Sequence, residues 1–251
     1  MSRLIIGIQP VREAIRVHNR AIDVWLVQQK RSSNTRTIDG IERMARDQGA
    51  RIQRVPRSKL DQTCRGGNHQ GVIAFAPELR IQRLSDVLDT SPSLLTLLDR
   101  ITDPQNFGAI IRSSVAFGAN AIIWPEHDSA PLTAATFRAS AGAVEHARLC
   151  RVRSLRSAIQ TLRQEKLQVI GLASEGSEQL DHLDLTKPTA LVIGAEGSGL
   201  RKSVRSACNT LARLPTSAPL GTLNASVSAA ISLYETRRQR RNWPEAKDAS
   251  A

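Results

Sequence analysis

The chain has 251 residues, 41% of them hydrophobic and 23% charged, enough for one or two compact domains with a real core. No apolar stretch approaches the roughly 20 residues that a membrane helix needs, and the opening Ser2–Gly7 run is too short for a signal-peptide core, so a cytoplasmic protein is expected. Thirty-five Lys and Arg against 23 Asp and Glu give a net charge of +12, which points to a polyanionic partner.

That charge is unevenly spread: residues 1–75 hold 14 Lys/Arg and 6 Asp/Glu, a surplus of +8. Aromatic residues are only 3%, which argues against a base-stacking platform and for recognition by shape and phosphate contacts. Cys64, Cys150 and Cys208 form no C-x-x-C pair, so neither a zinc ligand set nor a disulfide framework is expected and no metal is predicted.

In chain order, Pro10 opens a helix over residues 10–20 with Val11, Ala14 and Ile15 on its apolar stripe. Val24–Val27 reads as a buried strand, Thr37–Gln48 as a helix capped by Gly49, and Ile52–Val55 and Gly71–Phe75 as further strands. Residues 1–76 thus form a small α/β unit. Pro77, Pro92 and the cluster Thr90-Ser91-Pro92-Ser93 mark residues 77–93 as loop or linker. Continuous apolar runs follow at Leu94–Asp99, Ala121–Trp124, Val169–Leu172 and Ala190–Ile193, as in strands covered on both faces. Helical stretches at Gly108–Phe117, Ser154–Lys166 and Ala225–Glu235 separate them. Alternation of this kind predicts a parallel sheet flanked by helices over residues 94–241, with a ligand site at the carboxyl ends of the strands. The polar residues 242–251 are expected to be a flexible tail.

Three segments of the second part carry chemistry. In Asp103–Arg112, Asn106 is placed in an entry turn and Arg112 in the following helix, where a guanidinium offers a planar fork for phosphate or carboxylate; an N-capping Asn beside a solvated Arg fits equally. In Leu191–Leu200, Gly194, Gly197 and Gly199 follow a strand at G-x-x-G-x-G spacing, which is neither the dinucleotide fingerprint nor a P-loop. Missing Cβ atoms there let a ligand approach backbone, and Glu196 repels phosphates but suits a cationic sulfonium or a hydroxyl. In Leu214–Ala230 a Gly/Pro loop leads into a helix that Thr222 or Asn224 could cap.

Together and in this order, the three segments resemble the motifs of the SpoU/TrmH family of RNA 2′-O-methyltransferases, within the SPOUT superfamily. Gly7-Ile8-Gln9-Pro10-Val11-Arg12-Glu13-Ala14 and His69-Gln70-Gly71-Val72 resemble the two ends of the family's amino-terminal substrate-binding domain, and Ser140-Ala141-Gly142-Ala143 also fits. The likeness spans residues 3–238, and the front domain makes it strongest to the enzymes that methylate guanosine in 23S ribosomal RNA. It implies an L30-like front domain, a parallel-sheet domain with a carboxyl-terminal trefoil knot, a homodimer formed through the methyltransferase domain, and S-adenosylmethionine as methyl donor. It also implies that Ile193, Gly194, Gly199, Leu214, Thr222 and Leu223 hold the donor; that Arg112, Asn106, Glu196, Asn224 and Ser226 form the catalytic pocket; and that Arg12, His69 and Gln70 meet RNA. From charge alone, the arginine-rich stretches 148–156 and 237–241 are expected to add RNA affinity, and helix-end charge complementing the macrodipole fits 237–241 equally. Thr216, Ala218 and Thr222 depart from the Met, Gly and Ser common in the family. A tRNA methyltransferase and a non-catalytic ribosome assembly factor are the alternatives.

Overall fold

The structure, a computed structural model, describes residues 2–28, 35–217 and 222–240. Its elements run β1 (Ser2–Ile6), α1 (Ile8–His18), β2 (Asp23–Val27), α2 (Thr35–Asp47), β3 (Arg51–Val55), α3 (Arg57–Cys64), β4 (Val72–Pro77), β5 (Ile81–Gln82), α4 (Leu84–Leu88), β6 (Leu94–Asp99), α5 (Pro104–Ala116), β7 (Ala121–Pro125), α6 (Ala134–Ala139), β8 (Leu149–Val152), α7 (Leu155–Gln164), β9 (Gln168–Leu172), β10 (Glu178–Gln179), β11 (Thr189–Gly194), α8 (Lys202–Arg205), β12 (Thr210–Arg213) and α9 (Ala225–Gln239). Arg241, the 242–251 tail, Ala218 and Gly221 lie outside the described residues.

Two compact units emerge, and they group the chain differently from its linear order. The first holds Met1–Ile81 with Asp103–Arg112 and Ala130–Ala147; the second holds Gln82–Thr102, Ser113–Ser129 and Arg148–Ala251.

In the first unit a four-stranded sheet has the order β1-β4-β2-β3, with β4 antiparallel to both neighbours and β2 parallel to β3. Val11, Ala14 and Ile15 of α1, Val24 and Leu26 of β2, and Ala74 of β4 share one buried cluster. Segment 130–147 joins this unit through buried charge. Arg3 donates two hydrogen bonds to Glu145, at 2.8 and 2.7 Å, while His18 Nε2 stands 2.9 Å from the same carboxylate. Only 1% of the Glu145 side chain is exposed, so it depends on those partners to offset its desolvation. Gly142, at φ +89°, allows the close pass: a Cβ there would sit 2.8 Å from that of Glu13.

The second unit is built on a sheet of order β10-β12-β9-β11-β6-β7-β8-β5. Its pairs from β10 through β8 are all parallel. Every residue of β6 and β7 is buried, as a strand covered on both faces requires. Two asparagines start strands by the same device: Asn120 Oδ1 accepts from Leu94 N at 2.9 Å, and Asn209 Oδ1 accepts from Val169 N at 2.8 Å. Residues 77–93, expected as loop, instead carry β5 and α4. Val87 of α4 is 1% exposed and packs in the second core, which a local reading of prolines and serines does not reveal.

All three thiols are free. Burial pushes Cys150 up to about 11 and Cys208 up to about 12, so both behave as core hydrophobes.

Candidate functional site

β11 lies between β9 and β6 and ends at Gly194, where the chain folds sharply back. Ala195 and Gly199 form an antiparallel bridge, Gly199 N donates to Ala195 O at 2.9 Å, and Gly197 and Gly199 take φ of +73° and +59°. A Cβ at Gly194 would lie 2.4 Å from the Gly199 carbonyl carbon, so this strand exit tolerates no side chain. The loop borders a cavity of about 190 Å³ at the carboxyl ends of β9, β11 and β12. All six residues implied for the donor, Ile193, Gly194, Gly199, Leu214, Thr222 and Leu223, line it, as do Glu196 and Thr216.

Asn224 is the N-cap of α9; Thr222 is not. Its Oδ1 accepts from Ser226 N at 2.9 Å, Ser226 Oγ at 2.6 Å and Val227 N at 3.2 Å. Its Nδ2 donates to Glu196, whose Oε1 also accepts from Ala225 N at 3.4 Å. A carboxylate at the positive end of a helix gains roughly 0.3–1 kcal/mol, and the cap contributes about 1 kcal/mol more. Asn224 and Ser226 are absent from the cavity lining; they fix Glu196 and the start of α9.

Motif reading missed two features. On the cavity wall Glu175 pairs with Arg205; a bond from its own backbone N–H, then those from Arg205 and Ser174, hold its carboxyl below the usual range. At the end of β6, Asp99 is fully buried. Its Oδ2 accepts from Arg201 N and its Oδ1 from Arg201 Nε, both at 2.7 Å. Beside it Arg100, at φ +59°, donates through Nη2 to Ser198 Oγ at 3.2 Å and Gly199 O at 3.3 Å. The clue in sequence was a charged Asp-Arg pair closing an apolar strand, since a buried carboxylate demands a partner.

α5 begins earlier than expected. Asp103, not Asn106, caps it: Oδ1 accepts from Gln105 N at 3.0 Å and Oδ2 from Asn106 N at 3.3 Å, with Pro104 at the first helical position. Asn106 is therefore inside the first turn. Arg112 is exposed, six residues on, which is about 9 Å along the axis and roughly 120° around it. Both belong to the first compact unit and the cavity residues to the second.

The two ends of the front motif meet. Gly7 N donates to Val72 O at 3.3 Å and Ile8 N to Gln70 Oε1 at 3.2 Å. At Gly71, φ +91°, a Cβ would press to 2.6 Å from Ile38. Arg12 is half-buried and Gln70 exposed. His69, by contrast, is 3% exposed, with Nε2 2.8 Å from Asp61 and Nδ1 accepting from Gly71 N at 3.0 Å. Both ring nitrogens are spent on the turn, so a solvent-facing imidazole is not on offer there. Among the described residues no group of three His, Cys, Asp or Glu is placed to hold a metal.

The chain matches the SpoU rRNA Methylase family over residues 93–234 and the RNA 2′-O ribose methyltransferase substrate-binding domain over residues 4–82. It is 36% identical over 246 residues to an uncharacterized tRNA/rRNA methyltransferase of Mycolicibacterium smegmatis, covering 96% of this chain and 78% of that protein. Among solved structures, the SpoU methyltransferase AviRb from Streptomyces viridochromogenes, in complex with AdoMet, superposes with a TM-score of 0.74 at 25% identity, covering 97% of this chain and 92% of the other. An AdoMet-bound rRNA methyltransferase from Sinorhizobium meliloti gives 0.75 at 25% identity, covering 94% and 87%. A parallel-sheet unit whose strand-end cavity is lined by residues of the second and third motif segments, together with these two matched regions and this degree of identity, makes the chain a member of the SpoU methyltransferase family.

Proposed function

We propose that the protein transfers the methyl group of S-adenosylmethionine to a ribose 2′-hydroxyl, on a guanosine of 23S ribosomal RNA, in the cytoplasm and as a homodimer whose strand-end loops form a trefoil knot. The observation that carries this reading is the cavity at the ends of β9, β11 and β12, which gathers all six donor residues and Glu196 in one place. The cavity's chemistry suits the donor. Glycine-lined backbone offers hydrogen-bonding groups without side-chain obstruction, Leu214 and the 39%-exposed Leu223 offer apolar surface for an adenine ring, and the carboxylates Glu196 and Glu175 suit a cationic sulfonium and an ammonium.

The donor supplies an electrophilic methyl carbon; the protein's task is to align a hydroxyl with it and manage one proton. A guanidinium offers five donors and no acceptor, so Arg112 is not the base. Its role is to grip a phosphate beside the target ribose and stabilise negative charge developing on the 2′-oxygen, with the proton leaving through that phosphate. Asn106 orders the turn that presents it, and Asn224 and Ser226 keep Glu196 aimed. Thr222 retains a hydroxyl where the family commonly has Ser, so activity is expected to survive that departure.

Dimerisation is supported by α9. Val227, Ile231 and Tyr234, spaced i, i+4, i+7, are 44%, 42% and 52% exposed, while Ala229 and Leu233 on the same helix are fully buried. Three large apolar side chains aligned on one exposed stripe mark an interaction face. Front-domain charge and the basic stretch 148–156 favour an extended structured RNA.

Incubation with methyl-labelled S-adenosylmethionine and fractionated RNA tests the reading: label is expected in the large ribosomal RNA, and Arg112→Ala is expected to lower transfer at least about 1,000-fold with donor binding retained. Label confined to tRNA would move the substrate assignment, and wild-type turnover in Arg112→Ala would remove the arginine from catalysis. Arg100→Gly relieves a left-handed backbone but removes the tie to the Ser198–Gly199 loop; donor Kd should rise about tenfold while Tm stays within roughly 2 °C, and an unchanged Kd contradicts the clamp. Ile231→Glu should give a monomer by sedimentation; a persisting dimer places the interface elsewhere.

A further inference from the structure

The front domain's sheet leaves part of one face open, and the register decides what stands there. One row across the sheet reads Leu4, Phe75, Asp23, Arg51; the next reads Ile6, Ile73, Trp25, Gln53. Residues of the opposite parity, Ile5, Val24, Leu26 and Ala74, are at most 1% exposed. Trp25 and Phe75, diagonal neighbours in adjacent rows, meet edge to face with ring centroids 4.9 Å apart. Although aromatic residues are scarce in this chain, two of them stand together in its most basic third.

These rings, with Arg20, Asp23 and Arg51, border an open cavity of about 440 Å³. Arg20 and Arg51 are exposed while Trp25 and Phe75 are half-buried. The Lys59 ammonium lies over the Trp25 ring, 4.7 Å from its centroid. Two buried polar atoms of the lining, Trp25 Nε1 and Asp23 Oδ1, have no hydrogen-bond partner among the described residues. An aromatic surface flanked by two exposed guanidiniums is complementary to a nucleotide: ring to base, guanidinium to phosphate. A cation over an aromatic face is a weak and exchangeable contact, so a stacking base displaces Lys59 toward a phosphate.

We infer that this face is a second RNA contact, which takes an unpaired nucleotide by stacking on Trp25 beside Phe75, with Arg20 and Arg51 on its phosphates. It is separate from the Gly7–Ala14 and His69–Val72 turn. The inference rests on RNA being the substrate and adds to that reading a preference for RNA that carries an unpaired base.

The test uses full-length protein labelled with 5-fluorotryptophan. The chain has three tryptophans, so its fluorine spectrum is simple, and Trp25→Phe assigns the relevant signal. Titration with an unstructured mixed-sequence RNA hexamer should shift the Trp25 resonance saturably and leave the buried Trp124 in place. Arg20→Glu/Arg51→Glu should raise the hexamer Kd about tenfold and lower the salt slope by about two. The control Arg36→Glu/Arg43→Glu, two exposed arginines of α2, should cost much less. A Trp25 signal unmoved by RNA, absence of hexamer binding, or equal effects of the two double variants would overturn the site. Methyl transfer to structured RNA, run on the same preparations, separates the two claims: transfer with a silent Trp25 rejects only this site, whereas a responsive Trp25 without transfer rejects only the enzymatic reading.

Discussion

The candidate site depends on one backbone contact, the meeting of Gly194 with Gly199. β11 is buried between β9 and β6, and its chain must leave the sheet at once, because Leu200, the first residue after the turn, already belongs to the second core. With no Cβ at Gly194, the returning Gly199 carbonyl can cross directly over the strand end. A methyl group there would push the loop outward, and with it Glu196, whose bond to Asn224 links the loop to the start of α9. One missing side chain thereby sets the position of a carboxylate, a helix terminus and the cavity wall. Steric exclusion sets it firmly, since the alternative is an overlap and not a weaker bond.

Charge is used in two distinct ways. Buried carboxylates act as internal ties: Asp99 holds Arg201 and with it the chain after the loop, and Glu145 holds Arg3 and His18, joining segments about 140 residues apart in sequence. Such pairs contribute little net stability, yet removing one partner costs roughly 3–5 kcal/mol because a buried charge is left alone. Other arginines, Arg20, Arg51 and Arg112 among them, are exposed, and the chain as a whole carries a surplus of +12 that attracts polyanions. The first group specifies the fold.

Much of this was legible in the sequence. Strands buried on both faces announce themselves as unbroken apolar runs, so β6, β7, β9 and β11 were readable, as was the location of a site at their carboxyl ends. The edges were not. β10 is two residues long, and α3 (RSKLDQTC) lacks a clear apolar stripe. Asn106 lies inside the first turn of α5 and not in an entry turn before it, because an acid before a proline, Asp103-Pro104, is how this helix begins. His69 was expected to face RNA and is consumed by Asp61 and Gly71. The attachment of residues 130–147 to the first unit depends on ion pairs between distant segments, which no local pattern encodes. Likewise, pairing of Trp25 with Phe75 follows from strand register, which composition cannot supply.

Methylation of a ribose oxygen and methylation of a base leave different products. Complete nuclease digestion of RNA methylated by the protein, followed by mass spectrometry of the nucleosides, decides between them. A single 2′-O-methylnucleoside, guanosine, is expected, with the added mass on the sugar fragment and resistance of the adjoining phosphodiester to alkali. A methyl group on the base fragment, with the adjoining bond cleaved normally, would contradict a ribose acceptor.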